Sequence, residues 1–347
     1  MLEELNRQLA DAQPLTEEQV REAVELLIDE KIPAAIKADF LTALAQKGET
    51  PGEICAFVLA LRSRSIAPPL EAETREREIL DVVGTGGDRH GTFNISTTTA
   101  LVCAAAGVTV AKHGNRAVTS QAGSADVLEA LGVQIALSPA EAARSLREHH
   151  FAFFFAPAYH PAFKHIAPAR KLCAERGQRT VFNFLGPLLN PVHPSAMLVG
   201  VAQPGLCEPL AQVLQSLGVR RAMVVCGRAG TAGYLDEFST LGENTVAEFY
   251  QARGLAVSAM PPDFFPLQPA RLADLLGGGK EQNAEIVRRI LRGEECGPKR
   301  DAVLLNAAAA LFVANQARSI ADGWTLAAAT LDSGKAAAKL VELGGVI

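Results

Sequence analysis

The stretch Ile79-Leu80-Asp81-Val82-Val83-Gly84-Thr85-Gly86-Gly87-Asp88, continued by Asn94-Ile95-Ser96-Thr97, decides the fold. Residues 79–83 form a short apolar run rich in β-branched side chains and stopped by glycines, the pattern of a buried strand. Residues 96–106 read as a helix with a hydroxyl-rich start, and Gly107 stands just past its end. The order is therefore strand, glycine loop, helix N-terminus. Glycines let the backbone approach a phosphate closely, and the helix end adds partial positive charge. A dinucleotide site would need a third glycine where Arg89 stands, and no Gly-x-x-x-x-Gly-Lys-Ser/Thr motif occurs at this loop.

A second polar cluster, Lys112-His113-Gly114-Asn115-Arg116, follows a second strand pattern at 108–111. Lys112 and Arg116 supply positive charge there. Ser120 and Ser124 supply hydroxyls ahead of a helix expected at 126–131. Ligands of open α/β sheets bind outside the carboxyl ends of strands, so two such loops point to an enzyme acting on a phosphorylated small molecule.

Outward from this pair, the chain changes character. Before Ile79 only helical patterns occur: a capping box at Thr16-Glu17-Glu18-Gln19, then helical segments at 34–46 and 51–64. The linker Ala67-Pro68-Pro69-Leu70 ends this run. After it, strand patterns at 79–83, 108–111, 133–137, 151–155, 196–201 and 222–225 alternate with helices, one announced by Ser138-Pro139-Ala140-Glu141. The alternation predicts an α/β fold, a mostly parallel sheet covered by helices, with a smaller all-helical domain in front.

Composition narrows the class. The chain has 347 residues, 48% hydrophobic and 20% charged, enough to bury a large core and to form two domains. A net charge of −5 gives no electrostatic case for nucleic acid as partner. Six scattered cysteines without a Cys-x-x-Cys pair read as reduced, packed thiols. The start, Met1-Leu2-Glu3-Glu4-Leu5, has neither a basic stretch nor a long apolar run, and no segment is apolar enough to span a bilayer. A cytoplasmic protein without membrane contact is the expectation.

The run GTGGDRHGTFNISTTTA (84–100) followed by KHGNRAVTSQAGSADVLEALG (112–132) closely resembles the anthranilate phosphoribosyltransferase family of the tryptophan pathway. The resemblance continues through HPAFKHIAPAR (160–170), TVFNFLGPLLNP (180–191), LDEFS (235–239) and RDAVLLNAAAAL (300–311). It implies a two-domain architecture like that of nucleoside phosphorylases, with residues 1–72 helical and joined by a returning segment at about 158–186. Residues 73–157 and 187–347 would then form the α/β domain. The implied reaction moves a 5-phosphoribosyl group from phosphoribosyl pyrophosphate to the amine of anthranilate, in a homodimer paired through the helical domains.

The same resemblance assigns residues. Gly84, Gly87, Asp88, Thr92, Asn94, Ile95, Ser96, Thr97, Lys112, Asn115, Ser120 and Ser124 would bind phosphoribosyl pyrophosphate. Gly84, His113, Asn115, Arg170, Gly186 and Pro187 would bind anthranilate. Ser96, Asp236 and Glu237 would hold Mg2+, a hard cation suited to oxygen ligands and bridged phosphates. No residue is assigned as acid, base or nucleophile, because the chemistry chiefly requires a stabilised leaving group and a positioned amine. The chain departs from the family pattern by extra length at 171–176 and 228–234. Two other readings are a pyrimidine nucleoside phosphorylase, which carries a different glycine loop, and a non-catalytic nucleic-acid-binding relative, which would lose the acceptor residues.

Overall fold

The computed structural model describes residues 2–117, 121–250 and 254–347. The N-terminal helices are α1 (Leu2–Ala10), α2 (Glu17–Ile28), α3 (Ala34–Lys47), α4 (Pro51–Arg62) and the short α5 (Ala72–Glu76). Thr16 and Thr50 close capping boxes at the starts of α2 and α4, each satisfying two otherwise orphaned N–H groups. Glu53 does more than cap. Its carboxylate also accepts from the Leu15 backbone N–H at 2.8 Å and from the Lys47 ammonium, and it is only 2% exposed. Burial opposes the charge, but the hydrogen bonds from Leu15, Lys47 and Thr50 outweigh it and hold Glu53 below the usual carboxylate range.

The sheet begins with β1 (Ile79–Gly84), α6 (Ile95–Ala105), β2 (Thr109–Gly114), α7 (Ser124–Ala130), α8 (Pro139–His149) and β3 (Phe151–Phe155). Two helices, α9 (Ala156–Tyr159) and α10 (Ala167–Glu175), interrupt the rhythm before β4 (Ala196–Gly200), α11 (Cys207–Ser216) and β5 (Arg221–Arg228). Then come β6 (Tyr234–Leu235), β7 (Asn244–Tyr250), β8 (Ala256–Met260) and helices α12 (Lys280–Leu291), α13 (Pro298–Val313), α14 (Ile320–Asp332) and α15 (Lys335–Glu342). The strand order is β3-β2-β1-β4-β5-β7-β8, with β6 beside β5. Strands β1 to β5 pair in parallel, as their alternation with helices requires.

Period-two alternation splits the sheet between two cores. Leu80, Val82, Leu198 and Val225 pack with α6 and α13 on one face. Met197, Val199, Ala222 and Val224 share the other core with α11, which packs on β5 and on α4 and so joins the sheet to Val24, Leu27, Phe40 and Phe57 of the N-terminal helices. Ala169 and Cys173 of α10 join this second core, and the Cys173 thiol lies on the Ala38 carbonyl of α3.

Two expectations need correction. Residues 133–137 alternate buried and exposed side chains, as a strand would, yet form no ladder. A cavity of about 170 Å³ is lined by Val133, Gln134 and Leu137 together with Phe151, Ala152 and Phe153 of edge strand β3. Alternation records a half-buried segment, and pairing needs backbone contact as well. The sheet also extends past β5 through antiparallel β7 and β8, which the parallel pattern did not include.

Replacing Glu53 by alanine leaves Lys47 and the Leu15 N–H buried without a partner. The expected cost is about 3–5 kcal/mol, read as a lower urea midpoint with unchanged slope.

Candidate active site

The strand order reverses between β1 and β4, so the connections leaving these two neighbours diverge to opposite faces and open a crevice at their carboxyl ends. Gly84 and Gly200 pair at that point. A Cβ on Gly200 would stand 1.6 Å from the Asp236 carbonyl oxygen, one on Gly84 2.2 Å from Asp236 Oδ2, and one on Gly227 2.4 Å from Ser239 Cβ. Two strands thus end in glycine, and β5 has one a residue before its end, where segment 235–239 lies across them. Asn306 of α13 fixes the segment by accepting from Phe238 N at 3.0 Å and donating to Phe238 O at 2.9 Å.

This placement sets two carboxylates over the phosphate-type loop. Asp236 Oδ2 accepts from Gly86 N at 2.6 Å, and Glu237 Oε1 accepts from Ser96 N at 3.1 Å, in the first turn of α6. Gly86 and Gly87 have φ of +73° and +87°, which a side chain would strain. Removal from bulk water, then the nearby Asp88 charge, raises the pKa of Asp236; removal from water, then Asp236, raises that of Glu237. Lys112, 1% exposed on β2, donates to Val82 O at 2.7 Å and is the cation that offsets Glu237 and Asp81. Asp81 itself is pushed up to about 6 by burial, against Lys112 and a 2.8 Å bond from Asn190 Nδ2.

The loop after β1 is strapped from the far end of the chain. Phe93 N donates to Leu275 O at 3.1 Å, Gly277 N donates to Gly91 O at 2.9 Å, and Thr92 bridges to Leu276. Asn94 precedes α6 but does not cap it with its side chain. Its amide instead accepts from Asn283 Nδ2 at 2.8 Å and donates to Ala122 O at 3.2 Å. Helix α6 starts at Ile95, one residue earlier than the hydroxyls suggested, and Thr97 Oγ1 is buried with no hydrogen-bond partner.

On the other side of the β2 exit, His113 Nδ1 lies 3.2 Å from Gly186 O, the start of the turn that also contains Pro187. A chain of rings leads outward from it. His113 meets His160 edge-on at 5.3 Å, His160 stacks on Phe163 at 5.2 Å, Phe163 meets Phe182 at 5.9 Å, and the Arg170 guanidinium covers Phe182 at 5.4 Å. Arg170 is exposed and has no carboxylate partner among the described residues. Asn115 is exposed and its carbonyl accepts from Ser124 Oγ at 3.3 Å, which ties those two residues together. Ser120 lies outside the described residues.

Arg116 is a correction. Its guanidinium bonds Asp126 at 2.9 Å and Glu129 at 3.0 Å, so the charge expected for an anion is already neutralised. Sequence reasoning also missed Gly200, Gly227, His160, Asn190 and Asn283. Of these, His160 opens a motif already singled out, whereas the glycines and asparagines act through neighbours far along the chain.

Among the described residues no three His, Cys, Asp or Glu side chains form a metal cage. Asp236 and Glu237 each use one oxygen on a backbone N–H. With Asp88 nearby and one lysine offsetting them, they leave an excess of hard anionic oxygen. That donor set suits a Mg2+ ion completed by substrate phosphates.

Comparison with known proteins agrees with this layout. Residues 76–337 match the model of the glycosyl transferase family a/b domain, and residues 3–65 match the glycosyl transferase family helical bundle domain. The anthranilate phosphoribosyltransferase of Lacticaseibacillus paracasei is 46% identical over 343 residues, 99% of this chain and 96% of its own. The crystal structure of anthranilate phosphoribosyltransferase from Thermus thermophilus superposes with a TM-score of 0.88 at 42% identity, covering 98% of each chain. The Saccharomyces cerevisiae enzyme in complex with PRPP and Mg has a TM-score of 0.87 at 26% identity, covering 99% of this chain and 96% of its own.

Gly200→Ala places a methyl group on the Asp236 carbonyl and must displace segment 235–239. Activity is expected to fall at least about tenfold, while circular dichroism at 25 °C stays near wild type. Saturation with Mg2+ at fixed substrate checks it, because a displaced Asp236 raises the Mg2+ requirement.

Proposed function

The chain belongs to the glycosyl transferase family as an anthranilate phosphoribosyltransferase, and we propose how its own residues divide the work. The reaction transfers the 5-phosphoribosyl group of phosphoribosyl pyrophosphate to the amine of anthranilate, releasing pyrophosphate, in tryptophan biosynthesis, with Mg2+ as cofactor. The observation that carries the division is the acidic pair lying over a glycine loop and a helix N-terminus. An acidic pair alone would repel a pyrophosphate. Beside backbone donors, a lysine and a divalent cation, it becomes a site for one.

Gly84, Gly87, Asp88, Thr92, Asn94, Ile95, Ser96, Thr97, Lys112, Ser120 and Ser124 bind the donor in this reading, with Asn115 reaching both substrates. Ser96, Asp236 and Glu237 hold the Mg2+, which when bound neutralises the charge that builds on the leaving pyrophosphate. The chain's part is to aim N–H groups at that charge and to keep Lys112 close. Departure of pyrophosphate leaves cationic character at ribose C1, and the acceptor amine must already stand beside it. Gly84, His113, Gly186 and Pro187 form the walls that position it, and Arg170 pairs with the anthranilate carboxylate through two matched N–H donors. No side chain is needed as nucleophile.

The same reading divides the chain into a helical domain of residues 1–72 with 158–186 and an α/β domain of 73–157 with 187–347. It pairs two helical domains in a homodimer. The partners are small molecules rather than nucleic acid, and the setting is the cytoplasm. No helix among the described residues is long and apolar enough to cross a membrane.

Loss of anthranilate fluorescence on mixing protein, Mg2+ and phosphoribosyl pyrophosphate tests the reading as a whole; an unchanged signal overturns it. Asp236→Asn with Glu237→Gln is expected to cut turnover about a hundredfold or more with the fold intact, and near-normal rates at limiting Mg2+ would remove the metal assignment. Arg170→Ala is expected to weaken anthranilate by about 1.5–3 kcal/mol and phosphoribosyl pyrophosphate far less. Saturation curves for each substrate decide it, since an equal loss for both makes Arg170 a structural residue.

A further inference from the structure

Arg62 closes α4, 8% exposed, and carries a charge with no carboxylate near it. None of the ion pairs among the described residues includes it, one of its terminal nitrogens is buried without a partner, and burial pulls its pKa down to about 10. An unpaired buried guanidinium is costly to a fold, and helical packing gives no reason for it.

The side-chain hydrogen bond it makes among the described residues gives the reason. Arg62 Nε donates to Leu188 O at 2.8 Å, in the turn Gly186–Leu189. Gly186 O in the same turn faces His113 Nδ1 at 3.2 Å, and the Leu189 carbonyl lies close enough to the His160 ring to favour its protonation. Side chains from α4, from β2 and from the segment after α9 therefore hang on one four-residue turn. Because His113 gives its Nδ1–H to the Gly186 carbonyl, its Nε2 carries a lone pair while the ring is neutral, and the Nε2 atoms of both histidines are buried without partners.

Burial, then neighbouring positive groups, keeps the rings neutral: His113 is pushed down to about 3 and His160 to about 4. The groups facing His113 are His160, Arg62 and Lys112, with Asp81 accepting its backbone N–H, and Arg62 is the charge facing His160.

We propose that Arg62 is a positioning residue of the acceptor half of the cleft, fixing through Leu188 the Gly186–Leu189 turn whose Gly186 carbonyl orients the His113 ring. This rests on the acceptor assignment above. Arg62 reaches the substrate only through these neighbours, and it makes α4 of the helical part a contributor to acceptor binding.

Two variants separate the hydrogen bond from the charge. Arg62→Gln keeps an N–H donor for Leu188 O in the place of Nε, and Arg62→Met fills the space with neither donor nor charge. In steady-state assays of the full-length protein, Arg62→Met is expected to raise the anthranilate KM about tenfold with the phosphoribosyl pyrophosphate KM within about twofold, and Arg62→Gln is expected to restore most of that loss. In the ligand-free protein, the NMR signals of residues 186–189 and of the His113 ring are expected to shift in Arg62→Met and to stay near wild type in Arg62→Gln. If Arg62→Met does not fold, Arg62→Leu takes its place in both measurements. Unmoved turn signals in Arg62→Met overturn the proposal, as does an equal loss for both substrates. If no variant, nor the wild type, uses anthranilate, the activity assignment falls, while the turn signals still decide whether Arg62 holds the turn.

Discussion

The structure turns on a contact that requires a missing atom. Segment 235–239 crosses the carboxyl ends of β1, β4 and β5 because Gly84, Gly200 and Gly227 leave no Cβ in its way. The strand order puts the crevice there, and the glycines let a loop lie on its floor. Everything at the donor end follows from that seat. Asp236 reaches Gly86, Glu237 reaches the first turn of α6, and Lys112 sits under them. The backbone fit matters more than any single hydrogen bond, since a 1.6 Å approach cannot be relieved by a side-chain rotation.

Charge divides the cleft into unlike halves. The donor end gathers Asp88, Asp236 and Glu237 against Lys112, leaving negative charge that a divalent ion and phosphates complete as a set. The acceptor end holds two histidines kept neutral by burial, with Arg62 behind them and Arg170 laid on Phe182. An anionic aromatic acid is thus drawn to one half and a metal pyrophosphate to the other. The wall between them is one short stretch of β2, where Lys112 and His113 are neighbours and point to opposite faces.

Local signals in the sequence were faithful where local physics decides. The capping boxes at Thr16 and Ser138 start helices, the glycines after Val83 end β1, and Gly107 takes the positive φ that follows α6. Signals failed where distant neighbours decide. Residues 133–137 have a strand's alternation and no strand beside them. Arg116 has the charge for an anion but finds Asp126 and Glu129 first. Gly200 looks like any strand-ending glycine until Asp236, thirty-six positions later, comes to lie on it. The resemblance supplied LDEFS and Gly186-Pro187 as site elements, whereas Arg62 and Asn283 had no motif to mark them.

The two faces of the sheet also set an order in time. Phe40, Phe57 and their neighbours in the N-terminal helices share a core with Met197, Val199, Ala222 and Val224. During synthesis these helices emerge well before α10 and α11, which pack on α3 and α4, so their apolar face waits on the order of ten seconds for its cover. A growing chain therefore presents an unfinished surface to the cell at every round of translation, and that exposure ends only after α10 and α11 have left the ribosome.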